Sequence, residues 1–381
     1  MTFTFATPPR LICGAGSLQS LAGVIPALLG SRVMVITDPG IVACGLLKRL
    51  EAVLQSAGCS WDLFDAVVAD PPEAVVLGAA ERARVFDATG IIGFGGGSAM
   101  DVAKLVAILA APGSAPLAQA YGVNQVTGGR LPLALVPTTA GTGSEVTPVA
   151  IVTVGAEEKK GVVSPVLIPD LAILDAELTL QLPPHVTAAT GIDAMVHAIE
   201  AYTSASANNN PISRVLAREA LQLLGASLTT CVENGADLQA RQQALLGACL
   251  AGQAFANSPV AAVHALAYPL GGKYRMAHGL SNAILLPSVM ALNQAGNEKR
   301  FAAMAAAMGG IDALVFCGGI GEHSALVRRR ICERLGWMGI ELDDQRNADN
   351  ARIISSPQSR TTAMVVPTNE ELVIARAARR V

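Results

Sequence analysis

The sequence predicts a parallel α/β domain, then an all-helical domain, then a short α/β tail. Three observations carry that reading. Strand-like and helix-like segments alternate as far as about residue 180, the pattern of a parallel sheet with crossover helices. Strand signals then nearly vanish, and Ala- and Leu-rich periodic stretches run to about residue 310. From Ile311 arginine becomes frequent and strand signals return.

Residues 31–38 form a β-branched run that ends in Asp38-Pro39-Gly40 and reads as a strand. A helix follows over 45–58, bounded by glycines, and 61–68 is the next strand. Residues 73–87 read as a helix, 90–94 as a buried strand, 100–111 as a helix and 131–136 as a strand. Pro183-Pro184-His185 opens the helical region, because proline suits the first turn of a helix. Periodic apolar stretches then cover 192–202, 212–231, 236–256 and 297–308. Strands are expected again at 313–317 and 362–366, and no internal repeat or low-complexity run interrupts the chain. The domain boundaries that follow are 1–180, 181–310 and 311–381.

Length and composition narrow the function class. A chain of 381 residues, half of them hydrophobic, suggests two or three domains with a large core. A net charge of −3 gives no footprint for nucleic acid. Seven cysteines without a C-x-x-C pair read as thiols of a reducing compartment. No signal peptide and no membrane-length apolar run is apparent, so a soluble cytoplasmic enzyme is the expectation.

Asp193 and His197 lie four apart on a predicted helix, which puts a carboxylate and an imidazole on one face. His264 and His278 follow, so three of the five histidines enter one pattern. One carboxylate and three imidazoles suit a divalent first-row metal. Four protein ligands with room for a fifth would let such an ion act as a Lewis acid on a substrate oxygen. Taken alone, the Asp-x-x-x-His pair also describes an ordinary hydrogen-bonded histidine near a helix end.

Residues 91–101 read strand, glycine turn, helix start, with Gly95, Gly96, Gly97 and Ser98 at the turn. Such a turn lets backbone N–H groups and a helix N-terminus approach a phosphate. It matches neither G-x-G-x-x-G in register nor a Walker A loop, and a tight turn without a ligand has the same look. Asp38 ends an earlier strand, where a carboxylate can bind adenosine ribose hydroxyls and repel a 2′-phosphate; a plain turn residue before Pro39 is the alternative. A second loop, residues 137–145, packs Thr138, Thr139, Thr142 and Ser144 with two glycines. It suits a nicotinamide or pyrophosphate clamp, or ordinary loop chemistry. Lys160, beside Glu157, Glu158 and Lys159, reads by itself as part of a solvated turn.

Five segments taken in order resemble the iron-containing alcohol dehydrogenase family (group III) over about residues 5–309. They are GFGGGSAMDVAK, PTTAGTGSEVT, IPDLAILDAELT, LPPHVTAATGIDAMVHAIEAY and VHALAYPLGGKYRMAHGLSNAILLPSVM. The resemblance implies a Rossmann-like NAD-binding α/β domain followed by a helical iron-binding domain, with the metal in the cleft between them. It implies Asp193, His197, His264 and His278 as the metal ligands and Gly95, Gly96, Gly97 and Ser98 as the pyrophosphate site. It puts Asp38 beside the ribose, and Thr138, Thr139 and Lys160 along the cofactor. It implies Fe2+ (Zn2+ being the competitor by affinity order), NAD, a small alcohol or aldehyde substrate, and a homodimer as a common assembly. NAD rather than NADP rests mainly on Asp38.

One position departs from the pattern. Many members carry a further His four residues after the first downstream one, where this chain has Tyr268. A tyrosine relays protons less readily near neutral pH, its free pKa being about 10, and a packed aromatic beside Pro269 is the other reading.

The dehydrogenase pattern stops near Gly309-Gly310. From Ile311 to about Ala378 the chain instead resembles the C-terminus of acetate/propionate kinases. The marks are residues 311–323 with Gly318-Gly319-Ile320-Gly321-Glu322-His323, then Ile340-Glu341-Leu342-Asp343, and residues 366–372. The catalytic part of that kinase family is missing, and about 70 residues cannot position and neutralise transferring phosphates. The chain therefore reads as a fusion of an incomplete dehydrogenase with a kinase end. Its helical domain is expected to expose apolar faces that the missing helices would cover. A metal-dependent NAD alcohol dehydrogenase is the leading expectation. A non-catalytic or unstable fusion, or an acetate-kinase-like phosphotransferase fragment, are the alternatives.

Overall fold

The structure, a computed structural model, describes residues 2–155, 158–274, 276–293, 295–310, 312–316 and 318–367. The chain divides into two compact units, residues 1–286 and 287–381.

The first unit opens with a parallel sheet. In chain order its elements are β1 (Leu11–Cys13), α1 (Leu21–Leu28), β2 (Arg32–Ile36), α2 (Pro39–Ala43), α3 (Leu47–Ala57), β3 (Ser60–Phe64), α4 (Glu73–Val85), β4 (Gly90–Gly95), α5 (Gly97–Leu109), β5 (Gly122–Val123), β6 (Leu133–Pro137), β7 (Val149–Val154), β8 (Glu158–Val163) and β9 (Leu171–Leu174). Six strands lie in the order β1-β9-β6-β4-β2-β3, all parallel. Side chains alternate along each strand between two helix-covered layers. Met34, Ile36, Ile91, Leu133 and Leu135 enter one core, while Val33, Val35, Ile92, Phe94, Ala134 and Val136 enter the other. Both faces are dry, so these strands read as continuous apolar runs.

The chain leaves β2 for β3 on one side, then crosses to β4 on the other side. Such a reversal opens a crevice at the carboxyl ends of the strands. Asp38 follows β2 and Gly95 ends β4, so both lie at that crevice.

The charged patch around Lys160 reads in the sequence as a solvated turn. Lys160 lies within β8, which pairs with β7 antiparallel and with β5 in a second, three-stranded sheet, so it is not in a solvated turn. The strand holds because its charges find partners at distance: Lys159 pairs with Asp70 of another segment. Glu157 lies outside the described residues.

Long helices then replace strands, as composition indicated: α6 (Pro184–Thr203), α7 (Pro211–Glu233), α8 (Leu238–Asn257), α9 (Ala262–Tyr274) and α10 (His278–Leu292). α6 starts at Pro184, and α7 carries a capping box between Asn210 and Ser213. α6, α7 and α8 pack on one another. Several apolar side chains of α9 and α10 are exposed, among them Leu266 at 50%, Leu280 at 49% and Ile284 at 52%.

The second unit holds α11 (Glu298–Ala307), β10 (Ala313–Phe316), α12 (Gly318–His323), α13 (Ala325–Arg334), α14 (Asp344–Ala348) and β11 (Thr362–Val365). β10 and β11 pair in parallel over a small core of Phe316, Cys332, Leu335, Ile340, Ile354, Ala363 and Val365. Arg328 is buried there and donates to Gly321 O, Glu322 O and both oxygens of Asn347 at 2.7–2.9 Å. Both predicted strands are present. Ile311, Cys317 and the predicted motif residues from 368 onward lie outside the described residues.

A candidate metal centre and a glycine-lined crevice

The four residues singled out from the sequence converge. Asp193, His197, His264 and His278 each offer a ligand atom within 4.8 Å of all the others. Asp193 Oδ1 lies 4.0 Å from His197 Nε2, 3.8 Å from His264 Nε2 and 3.6 Å from His278 Nε2. Three ring nitrogens thus face one carboxylate oxygen.

Three helices place them. Asp193 and His197 sit one turn apart on α6, both buried. His197 stacks on Phe255 of α8 at 4.4 Å and on His264 at 4.6 Å. His264 lies on α9, where its Nδ1 is 2.6 Å from Glu200 Oε2, and Glu200 Oε1 accepts from Val263 N. A carboxylate at Nδ1 keeps the proton there and leaves Nε2 free as a ligand. His278 is the first residue of α10. The next residue explains how it gets there: a Cβ on Gly279 would lie 2.0 Å from Ala189 O, so glycine lets α10 start directly against α6.

Electrostatics favours a cation. Burial is the main cause that lowers His197 to about 4, and burial also lowers His278, so both rings are neutral near pH 7. Burial alone would raise Asp193, but attraction to the imidazoles in their protonated form, together with the Asn282 amide, outweighs it and holds the carboxyl below its usual range. The result is an ionised, buried carboxylate facing three ring nitrogens. An O/N donor set of that charge fits a divalent ion. His197 Nδ1 has no hydrogen-bond partner among the described residues.

Tyr268, the departing position, stacks on His278 with ring centroids 6.2 Å apart and is 40% exposed. Burial, then the nearby Asp101, Asp193 and Glu200 carboxylates, raise its hydroxyl. It stays protonated at neutral pH, which suits a donor better than a base.

The crevice gathers most of the remaining candidates. Thr37 Oγ1 donates to Phe94 O at 2.6 Å and ties the ends of β2 and β4. Asp38 caps α2, its Oδ1 accepting from Gly40 N and Ile41 N. Its Oδ2 lies 3.1 Å from where a Cβ on Gly95 would sit. Thr138 N donates to Gly95 O at 2.9 Å, and Thr139 lies against Gly96. A Cβ on Gly97 would strike Thr142 at 2.7 Å; glycine there keeps the loop flat at the N-terminus of α5. Ser98 is half-buried on the same turn. Lys160 is the exception: its contacts are Glu158 at 3.5 Å and the Tyr121 ring at 5.7 Å.

Sequence reasoning missed a buried charge cluster under this crevice. Asp101 accepts from Ser144 Oγ at 2.6 Å and from Ile151 N at 3.0 Å. Lys104, fully buried, donates to Thr147 Oγ1 and Val149 O and lies 3.9 Å from Asp101. Burial lowers Lys104 to about 8 and raises Glu145 to about 7. The cluster fastens the 137–145 loop to α5. The loop also reaches α6, where a Cβ on Gly141 would meet Thr190 at 2.6 Å, three residues before Asp193. Glu200 and Asn282 were missed as well, although each lies one turn from a candidate ligand on its own helix.

The chain matches known families and solved structures over most of its length. The family pattern described as iron-containing alcohol dehydrogenase matches residues 8–176, and the C-terminal pattern of the Fe-containing alcohol dehydrogenase family matches 187–333. A pattern of the acetokinase family matches 292–376, so two families overlap on 292–333. Long-chain-alcohol dehydrogenase 1 of Geobacillus thermodenitrificans is 44% identical over 310 residues, 80% of this chain and 76% of that protein. The sulfoacetaldehyde reductase of Bilophila wadsworthia is 36% identical over 82% of this chain and 80% of its own length. The solved alcohol dehydrogenase from Oenococcus oeni superposes with a TM-score of 0.78 at 31% identity, over 92% of this chain and 87% of that one.

Proposed function

Because the chain belongs to the iron-containing alcohol dehydrogenase family, we propose that it is a metal-dependent, NAD(H)-linked alcohol dehydrogenase of small primary alcohols or aldehydes. The observation that carries this reading is the convergence of Asp193, His197, His264 and His278. When bound, a divalent ion supplies Lewis acidity to a substrate oxygen, and NAD accepts or returns the hydride.

The chain's own residues do the rest. Asp193 with His197, His264 and His278 would hold the ion, and Glu200 orients His264. Gly95, Gly96, Gly97 and Ser98 at the α5 N-terminus would take the pyrophosphate. Asp38 would face the ribose, and Thr138 and Thr139 would flank the cofactor. Tyr268 is the hydroxyl stacked nearest His278 and would carry a proton outward. Iron is proposed on family grounds, with zinc the competitor for the same donors. The relatives differ in the substrates their names state, so the alcohol is proposed only as a class. All four ligand residues precede residue 292, where the acetokinase match begins.

The test is anaerobic NADH formation from short alcohols after ferrous loading. Turnover that needs metal, and that a chelator or Asp193→Ala or His264→Ala abolishes, supports the reading. Full activity in either variant overturns the ligand assignment.

A further inference from the structure

Asn282 stands inside the candidate metal centre. It is fully buried and lies four residues after His278 on α10, the same spacing as Asp193 and His197. Its Nδ2 is 2.6 Å from Asp193 Oδ1, 3.3 Å from His264 Nε2 and 3.3 Å from His278 Nε2. One amide therefore touches three of the four candidate ligand atoms. Three acceptors compete there for the two hydrogens of one NH2 group. Its Oδ1 is buried too, and has no hydrogen-bond partner among the described residues.

Both facts point the same way. An NH2 group suits three converging electron pairs only while no cation uses them. A cation sharing those pairs would face the positive ends of two N–H bonds. A half-turn of the amide exchanges its two ends and presents an oxygen to the same space. The unpartnered oxygen is the group that a hard or borderline divalent ion accepts.

We propose that Asn282 is a metal-site residue with two settings. In the metal-free protein its N–H bonds clasp Asp193, His264 and His278 and keep them converged. In the loaded protein its Oδ1 turns to the ion as an additional oxygen donor. The inference rests on the metal reading of this site.

The test uses the full chain stripped of metal and titrated with cobalt(II). Affinity is read by competition with a chromophoric chelator, and coordination by the visible cobalt bands. Asn282→Leu removes donor and acceptor at similar volume. It is expected to weaken cobalt binding roughly 10–100-fold and to change the bands. Asn282→Asp keeps an oxygen but cannot donate to Asp193. It should bind cobalt at least as tightly as wild type, while its metal-free form, with two carboxylates facing each other, melts lower than wild type. Wild-type affinity and bands in Asn282→Leu would overturn the proposal. Equally weak binding in Asn282→Asp would overturn the oxygen-donor setting, and that variant decides if Asn282→Leu does not fold. Absence of cobalt binding by the wild-type chain would instead sink the metal reading itself, and this proposal with it.

Discussion

The crevice and the candidate metal centre belong to one compact unit but are assembled in opposite ways. The crevice is built from turns at the ends of neighbouring strands, each specified within about ten residues of sequence. Its geometry is then fixed from beneath by Asp101 and the buried Lys104 and Glu145. The metal centre is built from single residues on three helices, and Asp193 and His278 are 85 residues apart in sequence. Its geometry depends on how closely helices approach, as at Gly279. The difference teaches that the two sites should fail differently. Damage to the crevice should appear first as lost stability, and damage to the centre as lost metal affinity with little change in folding.

The sharpest way to break that contrast is Lys104→Met. The substitution removes the cation 3.9 Å from Asp101 and leaves that carboxylate without its charge partner. The expected cost is about 3–5 kcal/mol, read as a lower urea midpoint for the metal-free chain, with cobalt affinity unchanged in the fraction that folds. A loss under about 1 kcal/mol would mean that the cluster does not fasten the loop.

Glu145→Gln comes next, and its effect is pH-dependent. Burial raises the folded Glu145 from 4.5 to about 7. Between those values the folded state holds a proton that the unfolded state has released. The stabilisation is therefore complete below about 4.5 and is lost as pH rises through about 7. Gln does not titrate, so the variant should match wild type near pH 4 and exceed it by about 3 kcal/mol near pH 8. A difference that stays flat with pH would show that Glu145 is ionised throughout.

Glu200→Gln probes the other region. It removes the charge that holds His264 Nδ1 but keeps the size of the side chain. Metal affinity should fall roughly 10–100-fold, about 1.4–2.7 kcal/mol, with the melting of the metal-free form nearly unchanged. The reverse pattern, lost folding with intact affinity, would erase the distinction between the two regions.

The same difference governs what was legible in the sequence. The sheet was readable because both of its faces are buried, so β2, β4 and β6 appear as apolar runs between turn residues. The helices were readable from their period and from Pro184. The β7–β8 hairpin was not, because Glu158, Lys159 and Lys160 open β8 with charge, and the partner that tolerates it, Asp70, is remote in sequence. The four ligand candidates were legible because histidine is scarce and Asp193–His197 has helical spacing. Glu200 and Asn282 carried comparable signals, at three residues after His197 and four after His278. A glutamate and an asparagine on helices have many ordinary uses, and only tertiary contact selects one. The cluster of Asp101, Lys104 and Glu145 gave the least warning, since charged residues in a sequence are expected at the surface.

Asp38 is where the two kinds of information meet, and it offers the smallest and most selective prediction. The sequence left it between a turn residue and a ribose ligand. The structure shows a helix cap through Oδ1 and an Oδ2 directed toward Gly95. These jobs use different properties of one carboxylate. Capping needs an acceptor, whereas discrimination against a 2′-phosphate needs a negative charge. Asp38→Asn keeps the acceptor and removes the charge; it should leave thermal stability within about 0.5 kcal/mol and raise the use of NADP relative to NAD. Asp38→Ala removes both and should also cost about 1 kcal/mol of stability. If Asp38→Asn leaves the cofactor ratio untouched, the residue is a cap alone, and the choice between NAD and NADP is made elsewhere in the crevice.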